Sequence, residues 1–192
     1  VFTGPASAFA GWCHVTGVLD TLYEYRLYAP DGWVVNTFGE LAPNLSFSTG
    51  QKNVDVRLYQ AFAYGTYNFT GPLEKAPEQA RICDENERCF GFIGPHEIII
   101  RQEIKHHETS SAPVLKAFET RDLLVLDSRI DTPAGKLFFR RYYQFIPFNL
   151  YKKQTDRLFI LEMTWLDGAL TESELAAMLE KLELMALSIS QR

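Results

Sequence analysis

Few residues in this 192-residue chain have the types and spacing that chemistry needs. His106 and His107 are adjacent and followed by Glu108. On a strand, neighbouring side chains leave opposite faces, so the two imidazoles do not converge on one metal. The pattern reads as a solvated strand end. Cys83 and Cys89 bracket the polar run Asp-Glu-Asn-Glu-Arg, with Ile82 and Phe90 outside them. That spacing suggests a short hairpin. It is closed by a disulfide in an oxidising compartment, or carries two free thiols in a reducing one. The disulfide is the favoured expectation, and it leaves Cys13 without a mate in the chain. Cys13-His14 does not stand at a zinc-motif spacing from the other two cysteines. The loop acids Asp84, Glu85 and Glu87 lack the alternation and glycine of a calcium loop. No nucleophile elbow, phosphate loop, dinucleotide glycine pattern or zinc-protease motif is present. The chain is therefore expected to have no catalytic residue, cofactor or metal ligand.

Two aromatic groupings point instead to recognition. Arg140, Arg141, Tyr142 and Tyr143 are consecutive. Alternation sends Arg140 with Tyr142 to one face of a strand and Arg141 with Tyr143 to the other. Arginine beside tyrosine is a common composition for interface anchors, which makes Arg140 and Tyr142 candidates for partner binding. The competing reading is an amphipathic strand whose arginines pair with acids on its neighbours. The second grouping lies in 64–96, a glycine- and proline-punctuated segment carrying Tyr64, Tyr67, Phe69, Phe90 and Phe92. Its pattern is too irregular to bury all these rings by itself. Some are expected to pack on the domain and others to meet a partner, so this segment is the first choice of docking surface. Asn44-Leu45-Ser46 and Asn68-Phe69-Thr70 also match glycosylation sequons.

The totals narrow the classes. A formal charge of −5 and a pI near 5.4 argue against a general nucleic-acid binder, which needs basic residues to neutralise phosphates. The 46% hydrophobic and 22% charged composition is that of one globular domain with a real core. No apolar run approaches the ~20 residues of a membrane-spanning helix. Near the start, Ala8-Phe9-Ala10 has the small-x-small form of a processing site, but an ordinary Ala-rich arm is the favoured reading.

The elements that must position these residues are mainly strands. Alternation of period two runs through 23–28 and 54–62, and apolar-rich segments follow at 97–104, 123–130, 136–145 and 157–165. Phe159, Leu161, Met163 and Trp165 fall on one face. Pro30-Asp31-Gly32, Gly50, Gly94-Pro95, Pro133-Ala134-Gly135 and Asp167-Gly168 separate the runs as turns. Trp33, directly after the first of these, is expected to anchor that turn to the core. Residues 151–156 read as a polar hairpin tip, and Pro147 suggests a bulge or an edge. The last element is a helix opened by Thr171 with Glu174 three residues on. Its apolar stripe is Leu175, Met178, Leu179, Leu182, Ala186 and Ile189. Shorter helices are expected over 111–120 and near 77–81. The sum is an α+β fold. An arm over 1–21 precedes one domain, 22–192, in which an antiparallel sheet is covered by the C-terminal helix.

Tyr25–Trp33 (YRLYAPDGW), the strand–turn–strand at 126–145, the strand RLFILEMTW (157–165) and the closing helix together resemble the PsbP-like group. Its fold is shared with the Ran-binding Mog protein and bacterial DcrB-type proteins. The likeness spans 22–190, with 64–96 standing out as an insertion. It implies an α/β/α sandwich and a binding role. PsbP-like proteins are extrinsic accessory or assembly factors of photosystem complexes in the thylakoid lumen, and DcrB-type proteins belong to the bacterial envelope. The function expected is that of a non-enzymatic accessory subunit docking on a larger, photosynthetic membrane complex. It would have protein partners, no nucleic acid and no membrane span, and would work in an oxidising compartment, thylakoid lumen or periplasm. An envelope chaperone or immunity-type binder, or a small-molecule enzyme without a recognisable motif, are the alternatives.

Overall fold

The structure, a computed structural model, describes residues 11–20, 23–38, 44–61, 72–79, 82–83, 89–90, 93–107, 121–150 and 153–191. The expected helix over 111–120 lies outside them, as do 151–152 of the hairpin tip expected over 151–156; residues 153–156 are instead paired strand.

The period-two segments do become strands. Seven form one antiparallel sheet: β3 (Val34–Phe38), β4 (Asn44–Ser48), β5 (Val54–Ala61), β8 (Ile98–His107), β9 (Arg121–Thr132), β10 (Gly135–Leu150) and β11 (Lys153–Leu166). Their spatial order is β3-β4-β5-β11-β10-β9-β8, which makes β10 and β11 central and β8 an edge. A separate three-stranded sheet contains β1 (Trp12–Asp20), β2 (Tyr23–Pro30) and β12 (Ser190–Gln191), with β2 in the middle. β6 (Ile82–Cys83) and β7 (Cys89–Phe90) form a third, two-stranded pair. Among the described residues the helices are α2 (Glu172–Leu187) and the short α1 (Ala76–Gln79), which follows a 3-10 turn at Leu73–Lys75.

This architecture corrects the expected fold. The chain is predominantly β, with two antiparallel sheets and one long helix, and not an α+β sandwich of one sheet under helical layers. The difference begins in the segment read as an arm. Residues 12–20 pair along β2, from Trp12 opposite Pro30 to Val18 opposite Glu24, and so build a second sheet. Gly17 permits this, because the Tyr25 ring lies directly across it. A Cβ on Gly17 would stand 2.1 Å from Tyr25 Cζ.

The main core lies between the large sheet on one side and the small sheet with α2 on the other. Tyr25 and Leu27 of β2, Leu58 of β5, Tyr142 of β10, Phe159, Leu161 and Met163 of β11, and Leu182, Met185 and Ala186 of α2 meet there, all fully buried. Tyr25 meets Phe159 edge-on at 5.0 Å between ring centroids, joining the two sheets. The expected helix stripe packs into this core, with Leu175 and Leu179 at its partly buried margin. Thr171 and Glu174 form the expected capping box, Thr171 Oγ1 accepting from Glu174 N at 3.3 Å. Trp33 is partly buried against the same core, 6.3 Å from the Phe47 ring. Its backbone N–H donates to Pro30 O at 3.3 Å and closes the turn, while Gly32 adopts φ +83°.

The opposite face of the large sheet has its own smaller core. Tyr59, Leu124, Leu126, Tyr143, Leu158 and Ile160 pack there with Leu73 and Ala76. Part of the 64–96 segment thus belongs to the domain's interior. Pro147 does not break β10, which runs through it in register with Asp156. The β9 ladder ends at Tyr143 opposite Leu124, so at Pro147 only β11 flanks the strand among the described residues. A missing N–H costs little at such a local edge.

Candidate functional site

β10 alternates as its sequence requires, and this places its two arginines in two different ion networks. On the α2 side, Arg140 forks onto Asp127 of β9, with Nη2 2.8 Å from Oδ2. Arg101 of β8 reaches the same carboxylate at 3.1 Å. Tyr142 is fully buried, and its hydroxyl donates to Leu179 O at 3.2 Å. Burial pushes that phenol up to about 12. Tyr142 therefore presents no surface to a partner, and Arg140 is committed to Asp127. The pairing of arginines with acids on neighbouring strands replaces the hot-spot reading of this pair.

On the other side, Arg141 is 3% exposed and sits between two carboxylates. Its Nε lies 2.5 Å from Glu162 Oε2 on β11, and its Nη1 donates to Glu97 Oε1. Ser128 of β9 also donates to Glu97, and Tyr59 donates to Glu162 Oε1 at 3.4 Å. Gly94 N donates to Glu97 Oε2 at 2.9 Å, and the guanidinium lies 4.7 Å over the Phe139 ring. Burial opposes the charge on Arg141, but Glu162 and Glu97 outweigh it and hold the guanidinium firmly protonated. The network ties the 93–97 turn, which leads into β8, to three central strands. Glu162 carried a signal in the sequence. It interrupts the otherwise apolar face of Leu158 and Ile160, where an ion must find a buried partner.

β8 itself is the exposed element. Among the described residues, five large apolar side chains are strongly exposed, and four of them are Ile98, Ile99, Ile100 and Ile104; the fifth is Val34. Ile98 is 47% and Ile100 54% exposed. Three consecutive isoleucines cannot all face one core in a strand of period two, which was the signal for this surface. The register with β9 shifts between Ile99 and Arg101, leaving Ile100 as a bulge. No described strand pairs with the outer edge of β8. At its far end the strand is latched to α2. Glu183 accepts from Lys105 Nζ at 2.8 Å and lies 3.2 Å from His107 Nε2. His106, on the opposite face, lies 2.5 Å from Asp122. The two histidines thus diverge, as alternation requires.

Cys83 and Cys89 stand directly opposite each other in the β6–β7 register. Such pairs have Cα atoms about 4.5–5.5 Å apart, within the span a disulfide can bridge. Their side chains, and that of Phe90, lie outside the described residues, as do Tyr64, Tyr67, Phe69, Phe92 and the sequon at Asn68. Asn44 is buried and its Oδ1 accepts from Gln60 N at 3.1 Å, so that sequon is closed to a glycan. Cys13 is partly buried, its Sγ 4.0 Å from Pro30 O. Among the described residues no three His, Cys, Asp or Glu side chains converge as a metal set, and no helix is long and apolar enough to cross a membrane. No protein-family model matches the chain, and no curated protein matches it.

Proposed function

We propose that this chain is a non-enzymatic binding subunit that docks on a larger assembly through the edge strand β8 and the adjoining 64–96 segment. The observation that carries the reading is the run Ile98-Ile99-Ile100, exposed on a sheet edge. Soluble domains blunt such edges, because unpaired backbone groups beside apolar side chains recruit other strands. A partner's extended segment can add to the edge through main-chain hydrogen bonds, while the isoleucines supply apolar burial. The Arg141–Glu97 network supports the reading from behind. It fixes the turn from which β8 departs, so the edge is presented preformed and binding need not order it. Among the described residues, the charged groups named above are engaged in ion pairs with one another. These features carry the proposal, and the family likeness does not.

The test compares the wild type with Ile98→Lys/Ile99→Lys. Both side chains are exposed, so the melting temperature should move by only a few degrees. In native extract from the source organism, the tagged wild type should elute in a particle well above twice the chain mass, and the variant should leave that particle. The reading is overturned if the variant stays in it, or if the wild type never exceeds the mass of one or two chains.

A further inference from the structure

We infer that β8 also pairs with β8 of a second copy of this chain, antiparallel, with Gln102 on the twofold axis. The inference rests on the reading of β8 as a docking edge and names one occupant for its middle section.

Residues along the middle of the strand run Ile100-Arg101-Gln102-Glu103-Ile104. In an antiparallel pair centred on Gln102, Arg101 stands opposite Glu103 of the second copy, and Glu103 opposite its Arg101. Ile100 meets Ile104 at each end, and the two Gln102 amides, each able to donate and accept, face one another. Directly opposed residues share a face, so both charge pairs form on the same side of the combined sheet. Arg101 keeps Asp127 through Nε, and its Nη1, now on Glu103 of its own strand, is the atom that would reach the second copy's Glu103. Arg101 and Glu103 are partly exposed neighbours on one face of β8, 3.3 Å apart. Three of these flanking positions, both isoleucines and Arg101, are exposed, and Glu103 is half-buried with 40% of its side chain in water.

The two adjacent registers lose the match. Centred on Arg101, the strand opposes arginine to arginine. Centred on Glu103, it opposes glutamate to glutamate and Arg101 to Lys105. Parallel in-register pairing sets every charge against its own kind. Centred on Ile104, Glu103 would face Lys105, whose ammonium Glu183 of α2 already holds at 2.8 Å. The twofold antiparallel register centred on Gln102 specifies an isologous contact that closes at two copies and does not propagate. The bulge at Ile100 ends the regular ladder, which keeps the paired section short and the contact concentration-dependent. Ile98 and Ile99 stay outside it, free for the larger partner.

Analytical ultracentrifugation of the purified protein tests this. The wild type should pass from monomer to dimer as concentration rises. Arg101→Glu and Glu103→Lys should each remain monomeric, since each sets like charges opposite one another. Mixed in equal amounts, the two variants should recover dimers, because each reversed charge then meets its complement. Gln102→Cys provides a second measurement without altering charge. It should give a covalent dimer under mild oxidation far more readily than the unsubstituted protein or Ile98→Cys. A wild type monomeric at every concentration, a mixture that stays monomeric, or a Gln102→Cys protein that cross-links no better than the unsubstituted one overturns the inference. If the purified protein is monomeric while Ile98→Lys/Ile99→Lys still abolishes assembly, the self-pairing fails and the docking function stands. If the protein dimerises but enters nothing larger, the self-pairing stands and the docking function fails.

Discussion

Arg141 shows how much one residue can hold in this protein. Its guanidinium is the cation between Glu97 and Glu162, and all three side chains are largely shielded from water. Replacing it with methionine preserves length and removes charge, leaving two carboxylates buried without their counterion. Chemical denaturation at neutral pH should register a loss of about 3–5 kcal/mol, and Arg141→Lys should recover part of it; a loss below about 1 kcal/mol would show that the network behaves as a surface pair. His107 makes a different prediction. Burial lowers its pKa below the ordinary imidazole value, and Lys105 and His106 act in the same direction; Glu183 opposes them without prevailing. Arg121, its register partner on β9, adds another cation on the same face. The folded chain therefore resists a proton that the unfolded chain accepts. The stability contributed by neutral His107 is complete above about pH 6.5 and is lost as pH falls through the depressed folded value. An NMR titration should place its midpoint below that of a free imidazole. The melting temperature of His107→Gln should fall less than that of the wild type between neutral and mildly acidic pH. A midpoint above the ordinary value would refute the assignment.

At the scale of elements, α2 was the most legible part of the sequence. Its start is specified locally by Thr171 and Glu174, whose carboxyl is held below the usual range by the Thr171 backbone N–H and hydroxyl. Its buried face follows from the 3.6-residue period. Leu182, fully buried in the main core, carries the prediction: Leu182→Ala should cost about 2–5 kcal/mol by urea or thermal unfolding, and Leu179→Ala, at the margin, less. Equal costs would place the stripe's centre wrongly. The face of β11 that carries Phe159, Leu161, Met163 and Trp165 was equally readable, because alternation needs no knowledge of the partner strand. β1 was not. Its nine residues, Trp-Cys-His-Val-Thr-Gly-Val-Leu-Asp, include a glycine and no strong alternation. Their place depends on the Tyr25 ring filling the space over Gly17, a contact made across a hairpin. The candidate site divides in the same way. The alternation of Arg140 and Arg141 was readable, but their partners Asp127 and Glu162 come from other strands and Glu97 from the turn before β8, so they depend on register and tertiary placement. Tyr142 read as an interface residue from its type, and only its place opposite Val125 and Leu161 in the central ladders makes it core.

Layering, at the scale of the whole molecule, was the least legible feature, because a single sheet and two sheets share the same local pattern. What separates them is the order in which strands meet. β9, β10 and β11 are successive hairpins and can assemble from neighbouring sequence alone. β5 joins this meander through β11, with Leu58 opposite Leu161, across more than half the chain. β2 is completed later still: Ser190 and Gln191 pair with Arg26 and Tyr25. During synthesis, therefore, the N-terminal strands leave the ribosome long before the segments that complete them. β3, β4 and β5 must wait as an open half-sheet until β11 arrives, and the first hairpin gains its third strand only with residues 190 and 191. Contacts this distant in sequence make folding slow, and they keep unpaired edges available to neighbouring nascent chains while it proceeds. In the cell, the interval between β5 and β11 is the period in which this protein most needs protection.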